Sequence, residues 1–147
     1  MQVARWLHLL GVVVWVGGMF FAHMALRPAV QVLAPPERLP LLASVMTRFM
    51  RWAGVAIAGI VVSGIALLTM LGGMRALGWH VHAMIGLGVV MMLIYGHLAA
   101  GPLKRLRAAV SAGDWERAGA AMAQARRLIA INLVLGFLAI TVVVLGR

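Results

Sequence analysis

Four long apolar stretches decide what this chain can fold into. Residues 3–26, 49–71, 79–100 and 128–145 each come close to the ~20 residues that carry an α-helix across a bilayer core. The expectation is an all-α integral membrane four-helix bundle of up-down-up-down topology, a single transmembrane domain over residues 1–147. Composition points the same way. With 64% hydrophobic and 11% charged residues, a chain this short cannot clothe itself as a water-soluble domain, because so small a fold leaves much of its surface exposed.

The thirteen basic residues are placed unevenly. Arg27, Arg38, Arg48 and Arg51 fall between the first two spans, and Lys104, Arg105, Arg107, Arg117, Arg126 and Arg127 between the last two; only Arg5, Arg75 and Arg147 fall on the other side. Ten against three is a positive-inside bias, which predicts both long connections in the cytoplasm and both termini on the outer side of the membrane. A net charge of +10 would suggest nucleic acid in a soluble protein. Here topology and contact with anionic membrane lipid account for it, and no nucleic-acid partner is expected. The first span is too long for a signal-peptide core and lacks a small-x-small cleavage site, so it is read as retained. No cysteine is present, which excludes disulfides and thiolate metal sites.

Proline at Leu26-Arg27-Pro28 is expected to stop the first helix, and the stretch with Pro35, Pro36 and Pro40 to form a loop. Gly11, Gly17 and Gly18 imply close approach of a neighbour, either another helix or the flat face of a macrocycle. The second span, without charge or histidine, reads as packing scaffold. Residues 101–127 read as two helical pieces broken at Gly113-Asp114, with Asp114 an N-cap. Asn132, the strongly polar residue of the fourth span, is expected to hydrogen-bond across helices.

The polar points that ask for a chemical explanation are histidines. His8 and His23 bracket fourteen mostly apolar residues, and His82 and His97 bracket fourteen more in the third span. Fifteen residues of α-helix rise about 22 Å and turn about 60° beyond four full turns, so each pair keeps to roughly one face, with one histidine near each membrane surface. Spans one and three run in the same direction, which pairs His8 with His82 at one depth and His23 with His97 at the other. Ionisable groups inside a membrane are costly and usually functional.

Two imidazoles on opposite faces of an iron describe haem ligation, and two such haems, two per chain, would conduct electrons across the membrane. This makes an oxidoreductase role one expectation, with a quinone or a redox protein as partner. Copper is the alternative cofactor, because imidazole and thioether both bind Cu(I) and Met19, Met24, Met84, Met91 and Met92 lie close to these histidines in sequence. Methionine is also ordinary core filler, and each histidine could instead bond a neighbouring helix. His80, two residues before His82, reads as a surface residue or an alternate ligand. Arg27, Arg48 and Arg51 are candidates to pair with haem propionates at one end, and Arg5 and Arg75 at the other. A homo-oligomer stays open.

The runs LHLLGVVVWVGGMFFAHMALRPA, PPERL, RFMRW, HVHAM and RRLIAINLVLGF resemble those of bacterial CopD-like (copper resistance D) integral membrane proteins over nearly the whole chain. The resemblance implies copper handling across the inner membrane, or haem-related redox work as in the neighbouring protoporphyrinogen-oxidase-like relatives. The paired histidines are separately similar to the four-helix core of b-type dihaem cytochromes, which implies His8 with His82 and His23 with His97 as axial ligands.

Overall fold

The computed structural model describes residues 1–146; Arg147, counted above with the basic residues opposite the long connections, lies outside them. The described chain is helical almost throughout: α1 Gln2–Phe21, α2 Arg27–Ala29, α3 Pro35–Met70, α4 Trp79–Ala100, α5 Pro102–Ser111 and α6 Trp115–Leu145. Four of its helical stretches are long and apolar enough to cross a membrane. Helices suit this solvent because they satisfy their backbone groups internally where lipid offers no partner.

Two proline expectations fail, for related reasons. Pro28 does not stop the first helix. Ala22–Leu26 forms a single π-helical turn in which the Arg27 N–H donates to the Ala22 carbonyl five residues back. The widened turn lets the chain pass the proline ring, and helical backbone runs on through Arg27–Ala29 and a 3₁₀ turn at Val30–Val32. Pro35 and Pro36 open α3 instead of looping out. The first helical position is where a missing N–H costs least, and the extended Ala34 (φ −66°, ψ 154°) is the backbone that a residue before proline prefers. Pro40 then falls where only the carbonyl of Pro36 loses a partner.

The result is that α3, at 36 residues, is about 54 Å long and overshoots a ~30 Å core by several turns. α6, at 31 residues, does the same. Their extensions and α5 form a helical cap at the end of the bundle that carries the long connections, here called the basic end. Leu39, Leu42 and Met46 of α3, Leu103 and Leu106 of α5, and Ala118, Ala121, Met122 and Ala125 of α6 are buried in it, Leu106 completely. In the spans, α1 packs on α3 and α4 on α6, with α1 and α3 also touching α6. Tyr95 ties α4 to α3 by donating its hydroxyl to the Met50 carbonyl at 2.9 Å.

The reversal between α5 and α6 is built from local chemistry. Gly113 sits at φ +68°; its N–H donates to Val110 and that of Asp114 to Ala109, a glycine-capped helix end. Asp114 then caps α6 by accepting from the Arg117 N–H at 3.0 Å, as its position in the sequence suggests. Gly113→Ala should therefore destabilise the protein by about 1–2 kcal/mol through the left-handed backbone, and Asp114→Ala by about 1 kcal/mol through the lost cap. Gly119→Ala, inside α6 with nothing within 4 Å of the added carbon, should be neutral or stabilising. Thermal unfolding of the three variants in one detergent checks the order.

Candidate functional site

The five histidines occupy different environments. His8 is half-buried between α1 and α3, where its Nδ1 lies 3.1 Å from the Ile60 carbonyl and 3.3 Å from Ser63 Oγ. A carbonyl can only accept, so Nδ1 carries the proton and donates, which leaves the Nε2 lone pair free. Metal-binding histidines are commonly held this way, one nitrogen fixed by the backbone and the other presented to a ligand. Two glycines make the arrangement fit. A β-carbon at Gly11 would lie 2.7 Å from Ile60 Cγ1 and 2.9 Å from the Ala56 carbonyl, and one at Gly64 3.4 Å from His8 Cε1. The close neighbour foreseen for Gly11 is thus α3, and the second span is more than scaffold, since it holds His8.

His82 is exposed, with Nδ1 3.1 Å from the Gly78 carbonyl of its own helix, again leaving Nε2 free. His80 packs edge-on to Trp79, their ring centres 6.3 Å apart, and against the C-terminal end of α6 near Gly146. His97 is exposed near the end of α4. His23 lies in the π-helical turn and lines a cavity of about 140 Å³ at the basic end. Spans one and three do not form one of the closely packed helix pairs. Among the described residues no hydrogen bond joins two of the histidines, and no group of three or more His, Asp or Glu side chains converges as a metal site.

Of the arginines proposed to meet a propionate, Arg27 lines the His23 cavity, whereas Arg48 and Arg51 stand exposed on α3 and do not. The cavity contains two that the sequence reading passed over, Arg38 and Arg126. Both fall among the charges that topology and contact with anionic lipid account for in the sequence. The signal was present for Arg126, which follows Met122 by four residues along a face of α6 that continues to Ile129, all three lining the cavity.

Soft donors are enclosed in the bundle as well: Met19, Met46, Met50, Met91 and Met122 are all buried. So is Asn132, but without the cross-helix bond expected of it, since its Oδ1 has no partner. An unpaired acceptor in the interior costs about 1–3 kcal/mol. Asn132→Leu, close in volume and apolar, should accordingly leave the thermal unfolding midpoint in detergent unchanged or raise it; a clear fall would mean that the amide is partnered in solution.

Fold and site together define a multi-pass membrane protein with imidazole and thioether groups carried inside or against a four-helix bundle. The family model for copper resistance protein D matches residues 43–145, more than two thirds of the chain. The chain belongs to the copper resistance protein D family. The matched region includes His80, His82 and His97 and begins after His8, His23 and Arg27. Comparison with curated proteins and with solved structures finds no match.

Proposed function

We propose that this protein handles copper within the membrane, binding it as Cu(I) cargo through imidazole and thioether groups. Membership of the copper resistance protein D family is the observation that carries the reading. The donor chemistry supports it. Cu(I) prefers soft ligands, imidazole suits it too, and neither can be confused here with thiolate, which the chain lacks. The donors assigned fall at two depths, since the ten residues from Met50 to Ile60 rise about 15 Å: Nε2 of His8, held by Ile60 and Ser63, and the buried thioethers Met19, Met50 and Met91. Met46 and Met122 share their cavity with three arginines, a poor place for a bare cation. The bias of basic residues supports placing the basic end in the cytoplasm and the short Gly72–Gly73 turn outside.

A second reading, electron transfer through two bis-imidazole haems, draws on the matched histidine spacing and on the free Nε2 of His8 and His82. Less favourable to it are the exposure of His82 and His97 and the size of the His23 cavity. At about 140 Å³, that cavity is below the roughly 300–1,000 Å³ of pockets that enclose drug-sized ligands.

Anaerobic competition of the purified, reduced protein with a coloured Cu(I) chelator tests the first reading. Tight binding by a colourless protein is expected, weakened at least tenfold by His8→Ala, and by Met50→Leu with Met91→Leu, a swap that nearly keeps core volume. A tenfold loss corresponds to about 1.4 kcal/mol. No retained copper, together with a strong Soret band diminished by His82→Ala or His97→Ala, would transfer the function to the haem reading.

A further inference from the structure

The cavity at the basic end has a property that copper handling does not use. Arg27, Arg38 and Arg126 all line it, with His23 and Gln31. Arg126 is only partly exposed, and Arg27, Arg38 and Arg127 all lie close enough to repel its charge. No carboxylate among the described residues lines the cavity to offset this. There are three acidic residues, Glu37, Asp114 and Glu116, and none is among the described residues lining the cavity. Asp114 is taken by the α6 cap and by Arg117, 3.3 Å away, while Glu37 and Glu116 are exposed.

One of the guanidinium groups, that of Arg38, is also held in place. Gln31 Nε2 donates to the Arg27 carbonyl at 3.2 Å, and its Oε1 accepts from Arg38 Nη1 at 3.2 Å. Arg38 Nη1 donates further to the Leu33 carbonyl. Neither acceptor carries a charge, so these bonds orient Arg38 without neutralising it. On the opposite wall Gly119 contributes no side chain, and a carbon added there would meet nothing within 4 Å. Like charges gathered around a space of about 140 Å³, several times the roughly 30 Å³ that a water molecule occupies, are complementary to a compact polyoxygen anion.

We propose that the cavity bounded by His23, Arg27, Arg38 and Arg126 binds a phosphoryl group. Arginine forks match phosphate oxygens in pairs, and the three arginines converge from α2, α3 and α6. The phosphoryl group has two possible sources, an anionic phospholipid headgroup at the membrane surface or a soluble phosphate.

Thermal unfolding of the full chain in a neutral, phosphate-free detergent separates them, with inorganic phosphate in one arm and short-chain phosphatidylglycerol in the other. Chloride at equal ionic strength serves as the control that screens charge without bridging it. Saturable stabilisation beyond chloride is expected. If it appears with inorganic phosphate the ligand is soluble; if with the lipid alone, it is a headgroup. Arg126→Gln and Arg38→Gln should each weaken the apparent affinity at least tenfold, and Gly119→Leu should do so by filling the space while every charge remains. Arg107→Gln, exposed on α5 and outside the cavity, should bind as the parent does. With no anion present, Arg126→Gln should unfold at the same temperature as the parent or higher, because it removes repulsion. No saturable effect from either ligand, or equal losses in Arg107→Gln and Arg126→Gln, would overturn the proposal; if Arg126→Gln does not fold, Arg38→Gln and Gly119→Leu decide the outcome.

Discussion

Packing of α5 against the extensions of α3 and α6 is the interaction on which the rest of the bundle depends. Within the hydrocarbon layer the helices gain little by turning apolar side chains toward one another, since lipid is as apolar as leucine. The spans show it: Val13, Val55, Val62, Leu93 and Val134 all face outward. Beyond the apolar stretches water is the competing solvent again, and full burial of a side chain such as Leu106 contributes about 1.5–3 kcal/mol. Leu39, Leu42, Leu103 and Met122 are buried in the same cap. The four spans are gathered at the end where the hydrophobic effect operates, and small close contacts such as Gly11 against Ala56 align them through the membrane.

That arrangement also concentrates charge. The helical extensions must present a polar outer face to water, and in this chain the face is almost entirely basic, ten cations against three carboxylates. Most of the arginines point away and are solvated. Arg126 cannot do so fully, because it rides on the same helix as Ala118, Met122 and Ala125, one position from a buried stripe. A cap made of short-range apolar contacts thereby carries a guanidinium inward beside two others, and the cavity they share follows from the cap's own geometry.

The spans were legible in the sequence because lipid imposes a minimum length on every crossing, and apolar runs of that length have no other common use. The extensions were less so. Residues 35–48 and 101–127 mix proline, alanine and arginine, and were divided between loop and surface helix although Leu39, Leu42, Ala43 and Met46 already keep helical spacing. Asp114 was correctly placed as a cap because capping needs only local sequence. Residue rise spaces the histidines along their own helix but does not name the neighbour. Whether His8 meets span two or span three depends on how the helices are rotated and ordered around the bundle, and the close approach at Gly11 and Gly64, which turns His8 toward Ser63, is a pairwise property that one helix's periodicity does not contain.

The π-helical turn shows the same limit within a single helix. Counting at 100° per residue from His8 assumes an unbroken α-helix, and Ala22–Leu26 breaks that count by closing its turn at the fifth residue. One residue is in effect added to the turn, so everything after it lags by roughly 100° relative to the α-helical extrapolation. Arg27 and Gln31 come after it. An extrapolated wheel would assign them to another face; the wide turn brings them beside Arg38 and Arg126, with His23 inside the turn itself. The proline that removes an N–H at position 28 and the widened turn just before it are thus part of what aims the first helix at the basic cavity.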